Sequence, residues 1–214
     1  MHRRTMFIPA IALLLVVSGS VVAAQTDKRG SSGVFRALTP PALLAEATDR
    51  ALDFRSKHPL SSEAESMIRQ AIAKLNDRSL TQATREAGPG VIPVIADVLA
   101  SQDTKLRYRA LLASLVFVPY NWRKEAEHAE NEALLVVLYR RSLFDTDAEV
   151  RDGAVGCLLS VGIQFHRSGM PASIEPALRG VWRNDPDARV REHANLVLQD
   201  LGMIPRDPKR EGFP

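Results

Sequence analysis

A single cysteine, Cys157, stands in the 214-residue chain. An intramolecular disulfide is therefore excluded, and the fold must be held by its apolar core alone. Strand patterns are missing too, since no alternation of period two lasts long enough to argue for a sheet. The motifs H-E-x-x-H and G-x-S-x-G and a Gly-rich phosphate loop do not occur. Charge of one sign is also scarce, with 28 Lys and Arg against 25 Asp and Glu, a net of +3. A nucleic-acid footprint needs a basic face, and this balance suggests none.

The N-terminus is the first positive signal. His2-Arg3-Arg4 is followed by an apolar stretch centred on residues 11–17 and by Val22-Ala23-Ala24. This order is that of an export signal, with cleavage expected before Gln25. Residues 6–24 carry no charge over 19 positions, which is also near the lower length of a membrane span, so an uncleaved anchor is the alternative. Either way the folded part is expected outside the cytoplasm, periplasmic or secreted. Without residues 1–24 the balance falls to 26 against 25, so part of the basicity belongs to the signal. The remaining 190 residues are enough for one domain with a real core.

The pattern D-x-x-[V/L]-R-x-x-A occurs three times, at 103–110 (DTKLRYRA), 147–154 (DAEVRDGA) and 187–194 (DARVREHA), with starts 44 and 40 residues apart. Counting from the Val or Leu, apolar positions recur at offsets 0, 4, 7, 8 and 11, one stripe of a helix. The stripes are Leu106, Ala110, Ala113, Ser114, Phe117; Val150, Ala154, Cys157, Leu158, Val161; and Val190, Ala194, Val197, Leu198, Leu201. Ser114 is the one polar member, and Cys157 reads as a core residue. Gly162 and Gly202 follow two stripes, where a left-handed residue often ends a helix. Val118 and Pro119 follow the other, and proline also stops helices. A second apolar helix precedes each stripe, at 92–100, 132–144 and 174–182, with Pro93 and Pro176 near two of the starts.

A helix pair repeated at this period, with this core, resembles the HEAT family over residues 91–202. The resemblance implies an all-α fold, a short α-solenoid of HEAT-like helix pairs. Asp103, Asp147 and Asp187 precede the stripes, where a carboxylate caps free N–H groups. Arg107, Arg151 and Arg191 follow four residues later, within reach of the Asp on the same helix. The resemblance implies that these side chains build a ladder between neighbouring repeats; a phosphate-binding arginine row is the alternative. Function is not implied, because such arrays host many activities. The favoured reading is a scaffold for an unknown protein or peptide partner, without catalysis, cofactor or metal. Its contact row is expected on the second helices, at Tyr108, Arg109, Asp152, Glu192 and His193.

The remaining segments organise around the repeats. Residues 25–33 (QTDKRGSSG) read as a flexible spacer, and 34–90 as an N-terminal helical cap or a degenerate repeat. Within it, residues 43–54 have helical spacing, Ser62 and Glu65 look like a capping box, Asn76-Asp77 marks a helix end, and 80–87 reads as a short helix closed by Gly88-Pro89-Gly90. The second helix of copy one is apolar nearly all round, through Leu111, Leu112, Leu115 and Val116, and so should be covered by the N-terminal helices. Asn195, Leu196, Gln199 and Asp200 give copy three a mostly polar outer face, as a terminal repeat needs. Residues 203–214 read as a disordered tail. Asn121 is expected to cap a long helix whose charged first turns, with Glu125, Glu127 and Glu130, are a solvated extension or an acidic contact surface. His128 and Glu132 share a helix face but make only two ligands. The Glu127-His128 and Glu192-His193 pairs are reversed relative to the His-Glu dyads of HEAT-like metal hydroxylases, which makes a metal-dependent enzyme a secondary reading. A membrane-tethered assembly factor is the third.

Overall fold

In the computed structural model the residues described, 41–75, 77–120, 125–165 and 171–206, form nine α-helices and no strand. They are α1 (Pro41–Lys57), α2 (Ser62–Lys74), α3 (Asp77–Ala87), α4 (Val91–Leu99), α5 (Thr104–Tyr120), α6 (Glu125–Ser142), α7 (Ala148–Phe165), α8 (Ile174–Asn184) and α9 (Ala188–Asp200). A 3-10 turn, Gly88–Gly90, joins α3 to α4. No helix among the described residues is long and apolar enough to cross a membrane.

The three repeated motifs are helix starts. Asp103 Oδ1 accepts the N–H groups of Lys105 (2.8 Å) and Leu106 (3.3 Å). Asp147 does the same for Glu149 (2.8 Å) and Val150 (3.2 Å), and Asp187 for Arg189 (2.8 Å) and Val190 (3.4 Å). Each carboxylate thus satisfies donors that a helix start leaves free. The stripes that follow in α7 and α9 are buried, as are Ala110, Ala113 and Ser114 in α5, where Leu106 is half-buried and the Phe117 side chain lies outside the described residues. In α7, Val150, Ala154, Cys157, Leu158 and Val161 are at most 1 % exposed.

Two layers result. Each first helix packs on its own second helix, α4 on α5, α6 on α7 and α8 on α9. The second helices also pack on one another in sequence, α5 on α7 and α7 on α9. The N-terminal helices cover the start of this arrangement. α2 and α3 pack on α5, and α1 lies across α4 and α6. Leu111 is accordingly buried, with Leu112 and Leu115 half-buried, while the Val116 side chain lies outside the described residues. Arg55 and Arg69, from α1 and α2, both reach Asp97 Oδ2 of α4, at 2.7 and 2.5 Å.

Several boundaries differ from those read in the sequence. Ser61, not Ser62, caps α2: its Oγ accepts the Ala64 N–H at 3.1 Å. The helix ends at Leu75, in the left-handed region with φ 48°, one residue before the Asn76-Asp77 stop. Pro119 sits inside the last turn of α5 rather than ending it. Gly162 is not a cap either. α7 runs on to Phe165, and a Cβ at Gly162 would lie 2.8 Å from Leu201 Cδ2. This glycine is needed for close approach between α7 and the end of α9. Gly202 does end its helix, with φ +69°. Its N–H donates to Gln199 O (3.0 Å) and the Met203 N–H to Leu198 O (2.8 Å), the paired closure that a left-handed residue permits. Met203 and Ile204, read as the first residues of a disordered tail, pack against the core.

Candidate functional site

Arg107 and Arg151 of the repeated motif each grip a carboxylate other than the Asp four residues earlier. Arg107 Nε and Nη2 donate to both carboxylate oxygens of Asp145, at 2.7 and 2.8 Å. Arg151 holds Asp185 in the same way, at 2.7 and 2.9 Å. Asp145 and Asp185 lie in the loop of the next helix pair, two residues before the capping Asp. Each accepts the N–H of Asp147 or Asp187 at 2.9 Å, so one carboxylate shapes its own loop while it is gripped by the preceding repeat. The third guanidinium nitrogen faces backward, with Arg107 Nη1 donating to Ser101 O (2.9 Å) and Arg151 Nη1 to Asp145 O (2.9 Å). A fork of fixed geometry suits this double task. The Asp145 hydrogen bonds raise the Arg107 pKa above its ordinary value. An inter-repeat ladder is present, but the residues that complete it are Asp145 and Asp185.

The ladder has two ends. At the position of Asp145 and Asp185 the first copy has Ser101, whose Oγ accepts the Asp103 N–H at 3.1 Å. It does the loop-shaping part of the task without a carboxylate. At the other end, Arg191 Nη1 donates to Asp185 O (2.6 Å) and Pro186 O (3.1 Å). Asp145 and Asp185 were visible in the sequence as D-x-D, at 145–147 and 185–187. Copy one breaks that pattern at Ser101, so aligning all three copies hid it.

Three of the five residues read as a contact row, Tyr108, Asp152 and His193, come together on the second-helix layer. Tyr108 of α5 lies over Gly153 of α7, where a Cβ would stand 3.1 Å from the ring. Asp152, the neighbour of Gly153, accepts from His193 of α9, with Nδ1 and Oδ1 2.8 Å apart. The His193 ring in turn passes over Gly156, whose Cβ would lie 3.7 Å from Cε1. Two glycines one turn apart on α7 thus let an aromatic and an imidazole lie down from either side. Asp152, Tyr108 and His193 are half-buried and Glu192 is exposed. Burial, then the Asp152 and Glu149 carboxylates, raise the Tyr108 pKa. Arg109 is separate from this strip, because it donates to the Ala73 carbonyl at the end of α2 and ties the N-terminal helices to α5.

The thiol near the strip is not poised as a nucleophile. Cys157 is buried beneath it, and burial pushes its thiol up to about 12, far from the thiolate that chemistry requires. Its Sγ faces Leu111 O at 3.6 Å. Among the described residues no three His, Cys, Asp or Glu side chains converge as metal ligands would. The side chains of Glu125, Glu127 and His128, and residue Asn121, lie outside the described residues. Glu130 is exposed and reaches Lys57 of α1 at 2.5 Å.

Glu132 is half-buried on α6, and burial lifts its carboxyl from 4.5 to about 7. The folded state therefore holds this proton more tightly than the unfolded chain does. As pH rises from about 4.5 to about 7, stability falls, and above that window the loss is complete. The full shift would be worth about 3 kcal/mol, and partial solvent screening reduces this to about 1–2 kcal/mol. Glu132→Gln is expected to be more stable than wild type by that amount at pH 8 and equal to it at pH 4. Urea unfolding at the two pH values checks this, and parallel pH profiles for the two proteins would contradict it.

No protein-family model, no characterised protein and no solved structure matches this chain.

Proposed function

We propose that this chain is an exported scaffold, a short HEAT-like α-solenoid that binds a protein or peptide and carries out no catalysis of its own. The observation that carries the reading is the strip of Tyr108, Asp152 and His193, with the exposed Glu192 next to His193 in sequence, formed across three consecutive second helices at positions where the copies differ. The positions that agree (Asp at the cap, Val or Leu and Ala inward, Arg across to the next loop) are consumed by packing. Residues free to vary yet brought together on one face are where recognition is expected in a repeat array. The D-x-x-[V/L]-R-x-x-A spacing and the alternating packing of first and second helices support the solenoid. The order of residues 2–24 supports export, and a mature N-terminus at Gln25 by mass spectrometry would separate a cleaved signal from an anchor.

The test compares wild type with the Asp152→Ala, Glu192→Ala, His193→Ala chain in affinity capture from the extracytoplasmic fraction. The pair Asp152–His193 is about one-third exposed, so its removal costs at most about 1 kcal/mol, or about 2–4 °C in Tm for a chain of this size. Loss of a specific partner with Tm within that range is the expected result. Capture that survives the substitutions would move the contact surface elsewhere, and a collapse of Tm would make the strip structural.

A further inference from the structure

α1 packs across α4 and α6, and beside its first turn an apolar groove of about 790 Å³ remains between α1, the end of α6 and α8. Leu43, Leu143, Phe144, Ala177 and Val181 line it. At Gly180, in the middle of α8, a Cβ would meet nothing within 4 Å, so the groove is open over the exposed side of that helix. A concavity of this size and character holds several apolar side chains.

We propose that the occupant is the segment of this same chain just before α1, Val34-Phe35-Arg36-Ala37-Leu38. These residues lie outside the described ones, and two observations point to them. The first is position. Ala42 and Leu43, the second and third residues of α1, line the groove, so the polypeptide enters the helix at the groove's edge. Residue 38 is four positions before Ala42, within about 14 Å, and residue 34 is within about 28 Å. α8, at about 1.5 Å per residue, is about 16 Å long, so the segment can follow it from end to end.

The second observation is composition. Four of the five residues at 34–38 are apolar, whereas 25–33 (QTDKRGSSG) contains no apolar side chain. A short apolar cluster between a polar spacer and a helix is favoured to bury itself on the apolar surface nearest that helix. Tethering favours it over a free peptide or a second copy, because a short linker supplies an effective concentration in the millimolar range.

Two measurements on the full chain test this. Phe35→Cys with Gly180→Cys, and Leu38→Cys with Gly180→Cys, are oxidised mildly; the native Cys157 is buried and does not compete. Intramolecular disulfides are the expected product. Hydrogen exchange along residues 176–181 is then compared between wild type and the Phe35→Asp, Leu38→Asp chain, with at least tenfold faster exchange expected in the variant. Equal exchange in the two chains would overturn the proposal. Disulfide-linked dimers would overturn it as well, by making a second copy the occupant.

Discussion

Arg151→Ala is expected to lower stability by about 3–5 kcal/mol, more than the matching substitution at Arg107 or Arg191. The order follows from burial and from what each arginine leaves behind. Arg151 and Asp185 are 4 % and 1 % exposed as a pair, so truncating the arginine strands a carboxylate that water cannot reach. Arg107 and Asp145 are 11 % and 12 % exposed. Solvent compensates in part there, and about 2 kcal/mol is expected from the lost charge-assisted hydrogen bonds. Arg191 holds only backbone carbonyls, so about 1 kcal/mol is expected. Urea midpoints at constant m-value measure all three. A further chain, Arg151→Met with Asp185→Leu, should be more stable than Arg151→Ala, because replacing both members of a buried pair removes the stranded charge. Equal losses at the three arginines would mean that the inter-repeat bridges contribute no more than the carbonyl contacts they share.

The helices were legible because each copy of the motif states the same physical needs. A carboxylate caps a helix start, an apolar stripe of period 3.6 faces inward, and a glycine or proline lies near the end. Asp103, Asp147 and Asp187 cap as read, and the N-terminal helices cover α5 as its all-round apolar character required. The arginine partners were misread for a definite reason. Along one helix Asp103 and Arg107 are close, and only the stacking of one pair on the next brings Asp145 nearer. Such a partner is 38 residues away, and no local spacing rule points to it. Gly162 shows the same limit. After a stripe, a glycine reads as a cap, but Leu201 from α9 occupies the space its side chain would need. Ser114 is the converse case, a polar residue on a buried stripe whose purpose lies on another helix.

Tyr139→Ala is expected to cost about 3–5 kcal/mol, a Tm loss of roughly 8–15 °C for a chain of this size. Tyr139 is fully buried on α6, in the middle of the array. Its hydroxyl donates to Ser114 Oγ of α5 at 2.8 Å, and Ser114 Oγ donates to Leu111 O at 2.6 Å. One side chain therefore joins the first helix of one pair to the second helix of the pair before it, by volume and by hydrogen bond. The two contributions separate by substitution. Tyr139→Phe keeps the ring and leaves the Ser114 hydroxyl bonded to Leu111 O, so about 1 kcal/mol is expected. Adding Ser114→Ala to Tyr139→Phe should cost little more than Tyr139→Phe alone, because the two hydroxyls form one network and their losses are not additive. Thermal unfolding of the four chains checks the set. A Tyr139→Phe loss as large as that of Tyr139→Ala would place the weight on the hydroxyl rather than on ring packing, contrary to a core in which the removed volume dominates.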